Sequence, residues 1–135
     1  MDPAATYRRR TLESATPMGL VVLLYQAAIT SLHRGLAAME AGDIEKRTQS
    51  LNHVLAVIAE LKSALNFERG GAVARQFALF YAMAERQILD ASCRQDPEPL
   101  RSLLGPFGEI QRAWQQADAR PRPGAAEAGA GAWKA

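Results

Sequence analysis

The segment from Met18 to Ile29, MGLVVLLYQAAI, constrains this chain most, because it is apolar on nearly every side and only Gln26 is clearly polar. A helix on the surface of a globular protein shows one apolar stripe. This segment carries a second apolar face that something must cover. Thr16 and Pro17 precede it. A threonine side chain can accept a backbone N–H at a helix start, and a proline costs nothing in the first turn. The spacing predicts a helix from Pro17 to about Ala41, with Met18, Val21, Tyr25, Ala28, Leu32, Leu36 and Met39 on its inward stripe. Gly42 ends it, and Asp43 can cap the next helix.

The same period continues downstream. A second helix is expected from Ile44 to about Phe67, with Ile44, Leu51, Val54, Leu55, Ile58, Leu61 and Leu65 inward. Gly70 and Gly71 break the pattern. A third helix then carries Val73, Phe77, Phe80, Tyr81, Ala84, Ile88 and Ala91, and fades near Ser92 before Asp96-Pro97. A fourth runs from Leu100 through Leu103, Leu104, Phe107, Ile110 and Trp114 to Ala117. Gly105-Pro106 lies inside it, which predicts a kink or a split. No stretch alternates with period two, so strands are not expected. Four helical patterns with short connections predict an all-α, antiparallel four-helix bundle over 16–119. A flexible leader over 1–15 and a disordered tail over 120–135 flank it. Trp133 reads as an unstructured aromatic within that tail.

Chemistry is sparse. His33 and His53 fall off the inward stripes, and no Glu-x-x-His pair accompanies them. Cys93 is the single cysteine. It reads as a buried or half-exposed structural thiol, and a chain without disulfides suits a cytoplasmic setting. Gly70-Gly71 lacks the spacing and the lysine of a phosphate loop. No catalytic residues, metal site or cofactor are therefore expected, and the chain is not read as an enzyme. The net charge of +2 gives no reason to expect nucleic acid or a membrane surface, and Arg8-Arg9-Arg10 reads as a solvated run. The N-terminus has no apolar signal core, and the apolar part of the first helix, about a dozen residues, is read as too short to span a bilayer.

What remains is surplus apolar surface. At about 100° per residue, Leu20, Leu23 and Ala27 lie opposite the first stripe, with Leu24 on a flank. Val57 and Ala64 spill beside Leu61 on the second helix. Leu79 and Met83 lie outside the core face of the third. Such patches mark binding sites. Tyr7 and Leu12, on the leader, could fold back over them, and a second copy of the chain is another way to cover them.

From Tyr7 to about Gln116 the chain resembles the FliS family of flagellin export chaperones. The resemblance rests on Tyr7 in the leader and Ser14-Ala15-Thr16-Pro17. It continues through Leu20, Leu24, Tyr25, Ala27 and Ala28, then Gly42-Asp43. Gly70, Gly71, Phe77, Phe80 and Tyr81 follow, then Arg86 with Ile88, and Ala113-Trp114 near the end. Met83, Ser92 and Gly105-Pro106 depart from the family pattern. The resemblance implies a cytoplasmic helical bundle that binds the C-terminal segment of flagellin, which is disordered when free and helical when bound. Holding it prevents premature filament assembly and keeps the subunit fit for export, with the flagellar export apparatus as a further partner. On this reading Tyr7, Leu20, Leu24, Val57, Leu61, Leu79 and Met83 meet the partner, Tyr7 as a displaceable cover. Tyr25, Phe77, Tyr81 and Trp114 serve the core, Thr16 and Pro17 the helix start, and Gly70 and Gly71 a turn. A helical adaptor binding some other protein through the same grooves is the alternative.

Overall fold

Gly42 adopts φ +71° just beyond the first helix, and the two N–H groups around this turn close it. The Gly42 N–H donates to the Met39 carbonyl at 3.2 Å, and the Asp43 N–H to the Ala38 carbonyl at 2.9 Å. This double closure satisfies carbonyls that the helix end would otherwise orphan. The Asp43 side chain then accepts the Lys46 N–H at 3.0 Å and starts the next helix in the same stroke. The computed structural model describes residues 17–119. Within them lie α1 (Pro17–Ala41), α2 (Ile44–Ser63), α3 (Phe67–Arg94) and α4 (Glu98–Ala119), with no β-strand. Thr16, Tyr7, the arginine run, the rest of the leader, and the tail with Trp133 lie outside the described residues.

Connections this short make sequential helices antiparallel neighbours. α1 packs on α2 and α4, and α3 packs on the same two, so α1 and α3 face each other across the core diagonal. The α1–α2 seam is the tightest. A Cβ on Gly35 would come within 2.9 Å of the Leu51 Cδ2, so the absence of a side chain lets these helices approach.

Three boundaries differ from the sequence expectation. α2 stops at Ser63 rather than Phe67, because the Asn66 side chain accepts the Arg69 N–H at 3.0 Å and opens α3 at Phe67. The glycine break lies inside α3, at Gly71, whose φ of +50° and ψ of −122° are open only to glycine. Pro106 does not split the last helix: α4 is continuous, and its proline simply withholds one ladder bond. α1 is also longer in its apolar reach than expected. Met18–Ala41 is long and apolar enough to cross a membrane by length and composition, a measure that the core helix of a bundle also meets.

At the centre lie Tyr25, Tyr81 and Phe107, all fully buried. Ring centroids stand 5.4 Å apart for Tyr25–Phe107 and 5.3 Å for Phe80–Phe107, in the tilted geometry aromatic pairs prefer. Phe77 and Trp114 extend the belt at 5.6 Å, partly buried against the core as expected for core residues. α2 faces these rings with aliphatic side chains, Leu51, Val54, Ile58 and Leu61. Two residues expected inside are not. Ile44 has the right angle but stands at the first position of α2, and Val73 sits at the edge of the α3 stripe.

The Tyr25 and Tyr81 hydroxyls share a 2.7 Å hydrogen bond between α1 and α3. Burial pushes both phenols above their ordinary range, for Tyr81 helped by its neighbour Tyr25. A phenol held neutral in the fold contributes stability that is fully present below the unfolded value of about 10 and is lost above it. Unfolding free energies from urea titrations between pH 8 and 11 should fall beyond pH 10, by up to about 1.4 kcal/mol per pH unit for each tyrosine. Tyr25→Phe/Tyr81→Phe should flatten that fall. Gly71→Ala should cost about 1–3 kcal/mol of unfolding free energy, whereas Gly105→Ala, helical and in open space, should be neutral or stabilising by up to about 1 kcal/mol.

Candidate functional site: the apolar outer faces

Once Tyr81 points inward, the residues two before and two after it rotate by about 200° and point outward. Those residues are Leu79 and Met83, at 73% and 44% exposure. The same rule on α1 turns Leu23 and Ala27 away from Tyr25. Both are half-buried there, beside Leu20 at 37% exposure. Leu24 packs partly against the core from the flank. α1 and α3, the two helices tied by their tyrosines, thus each present apolar side chains outside the core.

Two expected partner residues lie elsewhere. Val57 and Leu61 belong to the core, at 6% and 0% exposure, and offer no surface to a partner. The periodicity placed Val57 beside Leu61, but α2 is covered on both flanks, by α1 and by α3, and the core takes in the whole arc. Tyr7 lies outside the described residues. Conversely, Phe67, Ile44, Val73 and Leu89 are exposed apolar residues that periodicity did not single out as surface. For Phe67 the signal was present in the sequence: Asn66 ahead of it is a capping residue, which makes Phe67 the first residue of a new helix rather than the last of an old one.

Polar contacts across the seams are few and peripheral. Lys62 of α2 pairs with Glu85 of α3 at 2.8 Å, and Arg101 of α4 with Glu40 of α1 at 3.0 Å. Pairs this exposed contribute little. Gln111 donates to Gln26 at 2.8 Å between α4 and α1. His53 does not stand free: its Nδ1 lies 2.5 Å from the Ser31 hydroxyl. Cys93 is exposed, not buried or half-exposed. Among the described residues no group of His, Cys, Asp and Glu could hold a metal ion.

A helical bundle that satisfies its own core and still displays large apolar side chains, most of them on α3, has the build of a chaperone, a protein that shields another chain. Residues 1–121 match the family model described as flagellar protein FliS, and the chain belongs to the FliS family of flagellar secretion chaperones. It is 34% identical over 105 residues to the flagellar secretion chaperone FliS of Vibrio cholerae, covering 78% of this chain and 77% of that one. The corresponding protein of Salmonella typhimurium is 30% identical over 104 residues, covering 76% and 77%. That of Bacillus subtilis is 25% identical over 116 residues, covering 86% of each.

Burial separates core from surface in a way stability can read. Leu61→Ser should lower the unfolding free energy by about 3 kcal/mol or more, measured by denaturant titration. Leu79→Ser should stay within about 0.5 kcal/mol of the unsubstituted protein.

Proposed function

We propose that this protein is a cytoplasmic export chaperone that holds the C-terminal segment of flagellin. The observation that carries the reading is the pair Leu79 and Met83, standing exposed on α3 of a bundle whose core is already complete. Burying each such side chain is worth about 1.5–3 kcal/mol to whatever covers it. The partner that fits is a disordered segment able to fold into amphipathic helices and lay its apolar face on the bundle. Membership of the FliS family supports flagellin as that partner. Leu20 and Leu24 on α1 and Leu79 and Met83 on α3 form the contact set, and Val57 and Leu61 are left out of it by their burial. Tyr7 serves as the cover that the client displaces. Shielding the segment keeps flagellin from polymerising before export and leaves it in a form the export apparatus can take up. When no client is present, the same faces are open to a second copy of the chain.

Binding of the purified protein to full-length flagellin and to flagellin without its C-terminal segment tests this reading. Calorimetry should show a complex with the first and at least about a tenfold weaker one with the second, equivalent to about 1.4 kcal/mol. Leu79→Ser/Met83→Ser should weaken the first complex by about tenfold or more while the helical circular dichroism is unchanged. Equal affinity for both flagellins would point to an adaptor reading other partners, and no binding to either would remove flagellin as the client.

A further inference from the structure

One flank of α1 does not stay apolar along its length. Leu20, Leu24, Ala27, Ser31 and Arg34 follow one another at spacings of four and three, so they form a single helical row. The row begins apolar and ends in a cation. At that end, Ser31 and Arg34 of α1 and Lys46, Gln49, Ser50 and His53 of α2 line an open cavity of about 440 Å³. No carboxylate lines it. Neither Arg34 nor Lys46 makes an ion pair with another described residue, although the α2–α3 and α1–α4 seams each carry such a pair. Ser31 and Ser50 are buried, and the Ser31 hydroxyl is oriented by its 2.5 Å contact with His53. The cavity is therefore a donor-rich notch with two uncompensated positive charges, cut into the end of an apolar row.

The geometry points to this notch as the receptor for a carboxylate side chain of the client segment. The inference rests on the preceding reading of α1 as part of the client-binding surface. A polypeptide lying on Leu20 and Leu24 runs directly towards the notch. The anionic side chains a polypeptide carries are aspartate and glutamate, and a guanidinium beside an ammonium and hydroxyl donors suits a carboxylate. Leu24 and Arg34 are separated by about 15 Å of helix at 1.5 Å per residue. A helical client thus needs its acidic residue about ten positions from the apolar residue that meets Leu24. Apolar contacts slide at little cost, whereas a charge that must meet its counter-charge does not. The notch fixes the register of the client along the seam and selects segments that carry an acidic residue at that distance.

The test uses the full chain and a fluorescent peptide spanning the C-terminal segment of the organism's own flagellin, with affinity read by anisotropy at low salt. A second peptide has each Asp and Glu replaced by Asn and Gln. Arg34→Gln/Lys46→Gln should weaken the native peptide by about five- to tenfold and leave affinity for the neutral peptide unchanged, the mark of a direct coupling. Arg34→Lys/Lys46→Arg, which keeps both charges, should restore most of the affinity. Circular dichroism establishes that each variant is folded. If the double Gln variant binds the native peptide within twofold of the unsubstituted chain, or loses both peptides equally, the notch is not the receptor. If Leu20→Ser still weakens binding in that case, the chaperone reading stands without it. Failure of the unsubstituted chain to bind the native peptide at all overturns both.

Discussion

A single hydrogen bond between two buried phenols organises this bundle. The Tyr25 and Tyr81 hydroxyls meet at 2.7 Å from helices that face each other across the core diagonal. A hydroxyl taken out of water without a partner is costly, so each tyrosine requires the other helix at one rotation and one height. Phe107 and Phe80 close around the pair in tilted contact and exclude water from it. With both tyrosines fixed inward, the outward residues follow from the turn of the helix. Leu79 and Met83 face out because Tyr81 faces in. The exposed surface is thus a geometric consequence of the core and not a defect in its packing.

α2 has a different part. It holds no tyrosine and approaches α1 so closely that Gly35 leaves no room for a Cβ beside Leu51. Its aliphatic residues form the wall against which the aromatic belt packs, and Leu61 is as completely enclosed as Tyr25 itself. The α1–α2 hairpin is closely packed and closed by Gly42 and Asp43, whereas α3 begins with a turn that bends at Gly71 before its main body. α1 and α3 therefore sit in different settings, one in the tight hairpin and one behind a glycine bend.

Charge is distributed along the same lines. The inter-helix ion pairs lie at Lys62–Glu85 and Arg101–Glu40, where they bridge exposed edges. Arg34 and Lys46, by contrast, stand together at the end of the apolar row of α1 with no carboxylate between them. Both side chains are exposed and neither is paired with a described carboxylate, so both are available to an anionic group from outside.

By itself the sequence determined the four helices, the start of α1 at Pro17, its end at Ala41, and the inward direction of Tyr25, Tyr81 and Phe107. Those are local matters: capping chemistry acts within a turn, and a 3.6-residue period is visible in any long amphipathic run. Only the tertiary structure decided that Val57 is core, that Leu61 is too enclosed to meet a partner, that Ile44 and Val73 are not core, and that Pro106 leaves α4 whole. It also brought Arg34 to Lys46 from separate helices. A wheel gives an angle, but burial depends on whether a neighbouring helix stands at that angle and that height. That is settled by how closely the helices pack, which no stretch of a single helix encodes.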